Sequence, residues 1–210
     1  MAEAVSLPPA RPRVMDDREQ ARDRLGASVR ALLDAVVSSG GSADELSSAA
    51  AGVDAVTGAL AASGRPRPPH DNPFHPLSLV GGVAHPVAPQ LAFERIENGV
   101  SATVRLGAVF EGGPTLAHGG VLALIFDHSM GAAVYNAGYP AMTRTLEVTY
   151  VAPTPLEVEL SVRAEVEGVD GRQVHVSASI AHGDVVTATA QAVFIVLTAD
   201  NLERIFAAKL

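Results

Sequence analysis

The sequence contains no cysteine and no tryptophan, and only 4% of its 210 residues are aromatic. Without cysteine the chain cannot form a disulfide scaffold, a CxxC redox site, a cysteine-ligated zinc site or a cysteine nucleophile. Its seven histidines form no HExxH motif and no other close ligand cluster, so we predict no metal site. The chemistry available to the protein therefore rests on carboxylates, imidazoles, hydroxyls and backbone amides.

Basic charge is also scarce. The formal net charge is −8, Lys209 is the only lysine, and residues 71–210 carry fourteen acidic residues against seven basic ones. Nucleic acid is bound by basic surfaces, so we expect no nucleic-acid partner. No apolar run approaches the roughly 18–20 residues of a membrane-spanning helix, and the first fifteen residues lack the apolar core of a signal peptide. We therefore expect a cytoplasmic protein without a membrane span.

The first third of the chain is predicted to be helical and separate from the rest. Residues 1–13 are rich in Pro, Ala and Arg and are predicted to be disordered. In residues 14–62, apolar residues at helical spacing from Leu25 to Val37, a Gly-Gly stop and a Ser-x-x-Glu capping box predict a helical hairpin. It has few large apolar residues, so we expect it to pack on the rest of the chain or on a partner. Residues 63–78 are predicted to be a linker, which leaves 79–210 as the main domain.

After Leu91 the apolar period changes to two, which indicates β-strands. The predicted strands are Val100–Leu106, Met142–Tyr150, Leu156–Val166, Val174–Ile180 and Val185–Leu197. Turn signals lie at 168–171 and 182–184, and a short helix is predicted over Asn201–Lys209. Strands that alternate apolar and polar residues indicate an antiparallel sheet with one buried and one solvated face.

One segment between the strands can cover the buried face of this sheet. Gly119–Asn136 is apolar around its whole circumference, which predicts a helix buried on all sides. The order is then two strands, a buried helix and four long strands. This order predicts an α+β fold in which an antiparallel sheet wraps around one central helix, the hotdog arrangement.

The predicted central helix carries two candidate chemical features. Asp127 lies among apolar neighbours, where a carboxylate must be paired, hydrogen-bonded or protonated. It is either functional, a structural acid held by a partner, or an acid that faces solvent at a sheet edge. Gly119 and Gly120 follow His118 at the helix start, where free amides could bind a carbonyl oxygen or an anion. The alternative is a plain loop with a glycine at the helix cap and a structural histidine.

His118 and Asp127 are too far apart to act on one small substrate from the same helix. Nine residues correspond to about 13 Å along the axis and half a turn around it. Two antiparallel copies of the helix, related by a dyad, could bring the glycine end of one chain near the Asp127 of the other. The spacing therefore suggests a homodimer with shared sites.

The stretch from His118 to Gly131, HGGVLALIFDHSMG, resembles the HGG…D…G signature of hotdog-fold acyl-CoA thioesterases, notably the phenylacetate-type and THEM4-like branch. The likeness spans roughly residues 70–198 and includes Asn72-Pro-Phe, Phe110-Glu-Gly-Gly-Pro and Tyr150-Val-Ala-Pro-Thr-Pro-Leu. The predicted helical hairpin lies outside it.

This resemblance implies hydrolysis of an acyl thioester, with coenzyme A as part of the substrate, no other cofactor and a role in fatty acid metabolism. It implies that Asp127 is the general base or nucleophile and that the Gly120 amide polarises the carbonyl. His118 would orient the thioester or the loop, and Thr143 would place the attacking water or Asp127. The sites would be shared by the chains of a homodimer or a dimer of dimers. The substrate-binding residues implied are Gly119, Met142, Arg144, Thr149 and Arg172.

The sequence departs from the family at positions that often carry basic residues. These positions are Val151, Ala152 and Gln173. Arg172, Arg144 and Arg163 remain as candidate ligands of the CoA phosphates, although Arg163 is better explained as a solvated strand arginine. The alternatives are an acyl group carried on a protein and a ligand that is not a CoA ester. The alternative function is non-catalytic. The protein would then bind an acyl ligand without hydrolysing it, and the helical hairpin would be an interaction module.

Overall fold

The computed structural model describes residues 16–62 and 78–198. The helices are α1 (Asp17–Ser38), α2 (Ala43–Ala61) and α3 (Gly119–Asn136). The strands are β1 (Glu94–Ile96), β2 (Gly99–Arg105), β3 (Glu111–Gly113), β4 (Leu116–Ala117), β5 (Ala141–Tyr150), β6 (Glu159–Asp170), β7 (Gln173–His182) and β8 (Val185–Val196). The predicted disorder of 1–13, the linker prediction for 63–77 and the helix predicted over Asn201–Lys209 lie outside the described residues.

Both N-terminal helices begin at capping boxes. At α2, the Ser42 hydroxyl accepts from the Glu45 amide and the Glu45 carboxylate accepts from the Ser42 amide, as the sequence predicts. At α1, Asp16 and Glu19 form the same pair, which was not predicted from the sequence. The helices themselves are confirmed.

Only part of the predicted apolar stripe of α1 packs on the main domain. Val29 and Leu33 are half-buried, whereas Val36 and Val37 are 61% and 55% exposed. Contact is also made by Gly26, Arg30 and Asp34, one turn apart along the helix. Gly26 lies so close to Ala84 that a Cβ there would sit 2.8 Å from the Ala84 carbonyl oxygen, so glycine permits the approach. No residue of α2 is buried in the described part of the chain.

The main sheet has six strands in the order β1-β2-β6-β7-β8-β5, and all neighbouring strands are antiparallel. α3 lies across its concave face, with Ile125, Phe126 and Met130 fully buried against it. β3 and β4 form a separate two-stranded sheet. The predicted hotdog architecture is confirmed.

Strand β6 differs most from the sequence prediction, at both of its ends. β6 begins at Glu159 rather than Leu156, since Glu157 has a φ of 59° and leaves the extended conformation. β6 also runs through the predicted turn at Gly168, because a bulge between Val166 and Gly168 restores its register with β7. The chain reverses at Gly171, whose φ is 57°.

α3 has the predicted bounds, but it is not buried on all sides. Its partly exposed face contains Gly120, Leu124, Asp127 and Gly131, at helical spacings of three and four residues. This single face carries both of the candidate chemical features.

No helix in the described part of the chain is sufficiently long and apolar to cross a membrane.

Candidate active site

Asp127 of α3 and Thr143 of β5 meet at the edge of the sheet. The Thr143 hydroxyl donates to Asp127 Oδ1 at 2.7 Å. A β-bulge positions Thr143, because Thr143 pairs with Phe194 while Thr145 pairs with Val193, which leaves Arg144 as the extra residue. The bulge explains why Arg144 breaks the apolar alternation, and it turns Thr143 towards α3. The structure therefore brings together two of the residues predicted to be catalytic.

An open cavity of about 750 Å³ adjoins this pair. Asp127, Gly131 and Tyr135 line it from one face of α3, and Met142 and Thr143 line it from β5. The remaining lining residues are His128, Tyr139, Pro140, Ala141, Phe194 and Leu197. Apart from the Asp127 carboxylate the walls are mostly apolar or aromatic, so the cavity suits the uncharged part of a ligand whose reacting group lies at Asp127.

His128 contributes an imidazole with an unpartnered nitrogen to the same wall. Its Nε2 is buried and makes no hydrogen bond within the described residues. The ring packs against Phe93, with centroids 5.6 Å apart, and a Cβ on Gly81 would lie 3.0 Å from Nε2. Burial lowers the pKa of His128 below its ordinary value of 6.5, and the negative charge of Asp127 opposes that shift only in part. His128 is therefore neutral near pH 7.

Lowering the pH below about 6.5 should destabilise the protein through His128. Below this pH the unfolded chain binds a proton at His128 that the folded protein excludes. The free energy of unfolding therefore decreases as the pH is lowered, by at most about 1.4 kcal/mol per pH unit from this residue. Urea unfolding of wild type and His128→Gln at pH 7.5 and pH 5 measures the effect. The variant should lose less stability than wild type on acidification; equal losses would contradict the role given to His128.

The start of α3 is held by two hydrogen bonds. His118 caps the helix and its Nδ1 accepts the Gly120 amide proton at 2.9 Å, so a neutral ring carries its own proton on Nε2. The Tyr150 hydroxyl of β5 donates to the Gly119 carbonyl oxygen at 2.9 Å. The Gly120 amide is thus bonded to His118 in this structure, and a substrate carbonyl would have to share or displace that bond.

The other predicted substrate-binding residues are more dispersed. Met142 lines the cavity and Gly119 lines a second pocket of about 450 Å³ beside Tyr150. The Arg172 guanidinium donates through Nε and Nη2 to the Val196 carbonyl oxygen, next to the cavity wall. Thr149 lies between Val148 and Tyr150, which face α3, so alternation along the strand places Thr149 on the opposite side of the sheet.

Several pocket residues were not predicted from the sequence. Tyr135 follows Asp127 by eight residues on α3, so helical spacing could have identified it. Tyr139 and Phe194 reach the cavity through the tertiary fold, for which the sequence carries no local signal. Tyr150, which lines the second pocket, belongs to a motif of the family, but no role was predicted for its side chain.

Within residues 16–62 and 78–198, no group of three or more histidine, aspartate or glutamate side chains is placed to hold a metal ion.

Comparisons with known proteins agree with this geometry. Residues 115–189 match the sequence model of the Thioesterase superfamily. Acyl-coenzyme A thioesterase THEM4 of Xenopus laevis is 36% identical over 108 residues, which cover 50% of this chain and 48% of that protein. The Mus musculus protein of the same name is 31% identical over 88 residues, covering 42% of this chain and 38% of its own. The chain thus spans half or less of the length of these curated relatives.

A solved structure extends the similarity to the N-terminal helices. The crystal structure of protein RHA08564, a thioesterase superfamily protein, is 26% identical and superimposes with a TM-score of 0.74. The match covers 91% of this chain and 94% of that one. Together with the family match over residues 115–189, it confirms the hotdog fold and the resemblance to the thioesterase superfamily that the sequence showed.

Proposed function

We propose that the protein hydrolyses an acyl thioester, most simply an acyl-CoA, to the free acid and the thiol. The observation that carries this proposal is the Asp127 carboxylate, held by the Thr143 hydroxyl at 2.7 Å and facing a largely apolar cavity. Asp127 either accepts a proton from the attacking water or attacks the carbonyl itself. In the first route the water oxygen bonds to the carbonyl carbon, the C–S bond breaks, and the proton taken up by Asp127 passes to the thiolate. In the second route the Asp127 oxygen displaces the thiolate, which takes a proton from solvent, and a water then hydrolyses the mixed anhydride to release the acid and restore Asp127.

The thioester carbonyl needs a donor as negative charge develops on its oxygen. The Gly120 amide lies in the first turn of α3, where the helix dipole favours negative charge. Gly120 is exposed, and only the His118 ring lies within reach of a side chain placed there. On binding, the substrate carbonyl oxygen would replace His118 Nδ1 as the acceptor of the hydrogen bond from the Gly120 amide.

One chain alone does not place this donor beside its own carboxylate. Gly120 and Asp127 share one face of α3, but seven residues separate them by about 10 Å along the axis. We therefore propose a homodimer in which Asp127 of one chain and Gly120 of the other act on the same thioester.

β5 offers the edge at which two such chains could join. It is a ten-residue strand at the end of the sheet, and no described strand pairs with its outer side. Met142 and Tyr150 on it are 55% and 54% exposed. A long exposed edge readily pairs with another strand, and antiparallel pairing of two β5 strands would set the two α3 helices side by side in opposite directions.

Coenzyme A is the proposed carrier because the curated relatives are named acyl-coenzyme A thioesterases. Few cations of this chain are available to its phosphates. Arg172, beside the cavity wall, is the residue we propose for that contact, and Arg144 lies exposed in the β5 bulge. A cytoplasmic location and a role in fatty acid metabolism stay predictions from the sequence analysis.

Release of free thiol from a panel of substrates tests the proposal. The panel contains short, medium, long and aromatic acyl-CoAs, each with its N-acetylcysteamine analogue and its acyl-carrier-protein ester. We expect turnover of at least one acyl group on CoA, and a higher KM for the N-acetylcysteamine ester if Arg172 binds the phosphates. No thiol release from any of the esters would contradict the proposal.

One observation favours the second candidate function, an acyl-binding protein with an interaction module. Leu46, Val53 and Val56 of α2 are 47%, 40% and 53% exposed, so the apolar face of this helix is open to a partner. An acyl ligand retained in native mass spectrometry, together with no turnover in the panel, would support this function over hydrolysis.

A further inference from the structure

α1 is fastened to the main domain by polar contacts at two points. Arg30 donates through Nη1 to the His85 carbonyl oxygen at 2.7 Å and through Nη2 to that of Val83 at 3.0 Å. One turn further along the helix, Asp34 Oδ1 accepts the Val109 amide proton at 3.1 Å. Arg30 therefore binds the turns after residue 82, whereas Asp34 binds the segment around Val109.

The segment held by Asp34 is a short 3-10 helix, Ala108–Phe110. The carboxylate also rests against Gly107, where a Cβ would lie only 2.6 Å from Asp34 Oδ1. Both the Asp34 carboxylate and the amide it binds are partly buried, so water replaces this charge-assisted bond poorly. The position of the 3-10 helix therefore depends on α1.

The same 3-10 helix holds the start of α3. The Phe110 carbonyl oxygen accepts the His118 amide proton at 2.9 Å, and His118 in turn holds the Gly120 amide. A Cβ on Gly112, just after the 3-10 helix, would lie 2.6 Å from His118 Cα. Phe110 and the backbone just after it thus contact His118, the residue that caps α3 and holds the Gly120 amide.

We propose that Asp34 is a positioning residue for the thioester-binding end of α3, so that α1 is part of the scaffold of the active site. The contacts run from Asp34 to Val109, from Phe110 to His118 and from His118 to Gly120. This inference rests on the proposed function, and it assigns a role to a helix outside the matched thioesterase segment 115–189. α2, which has no buried residue in the described chain, takes no part in it.

Asp34→Ala should lower kcat by about tenfold with little change in KM, because a displacement of about 1 Å at the reacting centre costs up to about 10²-fold. Asp34→Asn keeps an oxygen acceptor for the Val109 amide and should recover most of the lost kcat. Arg30→Ala removes the other fastening of α1 without touching the 3-10 helix. It should keep kcat within about twofold of wild type, even if its melting temperature falls as far as that of Asp34→Ala.

Two measurements on the whole 210-residue chain test whether Asp34 positions the start of α3. Steady-state kinetics at temperatures well below unfolding compares wild type, the two Asp34 variants and Arg30→Ala. Amide ¹H–¹⁵N spectra report the Gly119 and Gly120 resonances of the same four proteins, and they need no turnover. If the thioesterase proposal fails, the Gly120 resonance should still shift in Asp34→Ala and return towards wild type in Asp34→Asn.

Three results would overturn the inference. The first is an Asp34→Ala variant with wild-type kcat and unshifted Gly119 and Gly120 resonances. The second is a loss of kcat in Arg30→Ala equal to that in Asp34→Ala, which would mean that general loosening of α1 is the cause. The third is an Asp34→Asn variant as impaired as Asp34→Ala, since the hydrogen-bond acceptor would then be irrelevant.

Discussion

Asp127→Asn is expected to lower kcat for thioester hydrolysis by about 10²–10⁴-fold, the range lost when a general base is removed. The amide cannot take a proton from water and cannot form an acyl intermediate, so both routes open to Asp127 are blocked. The fold should persist, because Asp127 lies on the partly exposed face of α3 and the amide oxygen can still accept from Thr143. Thiol release and thermal unfolding of the same preparations measure the two effects.

Asp54→Asn is the matched control for this substitution. Asp54 is an exposed acid on α2, a helix that has no buried residue in the described part of the chain. The variant should keep wild-type kcat, since the same change of charge occurs there outside the residues that line the cavity. Turnover in Asp127→Asn equal to that of the control would remove Asp127 from the mechanism.

Gly120→Leu is expected to reduce turnover by covering the Gly120 amide. Leucine favours a helix over glycine by up to about 1 kcal/mol, but a Cβ at this exposed position would lie 3.1 Å from His118 Nδ1, so the capping ring must shift slightly to accept it. The side chain would nevertheless occupy the space through which a carbonyl reaches the Gly120 amide. We expect a loss of kcat/KM of about 10²-fold or more, comparable to removal of an oxyanion donor.

Gly58→Leu on α2 provides the control for helix propensity. A Cβ on Gly58 would meet nothing within 4 Å, so the substitution adds a helix-favouring side chain without a new contact in the described structure. It should raise stability and leave kcat/KM unchanged. Wild-type kcat/KM in Gly120→Leu would show that the start of α3 is not where the thioester binds.

The sequence predicted the elements whose local signals agree with their tertiary surroundings. The bounds of α3 are those predicted, because the glycine pair opens it, apolar residues continue on both sides of Asp127, and Gly138 follows its end. The α2 capping box is likewise a local signal that the structure preserves. Strand alternation predicted the sheet. The bulges in β5 and β6 nevertheless shifted the register and the side-chain alternation of these strands by a residue or more.

Other features depend on contacts that no local pattern reports. The docking face of α1 contains Gly26, Arg30 and Asp34 besides the half-buried Val29 and Leu33, since close backbone approach and polar bonds to turns contribute to the packing there. Similarly, the bond between Thr143 and Asp127 requires the β5 bulge. The family resemblance placed both residues in one site, but the alternation of the strand alone would have pointed Thr143 away from α3.

Subunit mixing tests most directly the claim that one active site takes Asp127 from one chain and Gly120 from the other. The Asp127→Asn and Gly120→Leu variants, each nearly inactive alone, are mixed in equal amounts, unfolded and refolded together, and assayed for thiol release. Half of the dimers should be mixed and should carry one native site of two, so about a quarter of wild-type turnover should return. If turnover of the refolded mixture stays at the mean of the two variants, the two residues do not act across a dimer interface.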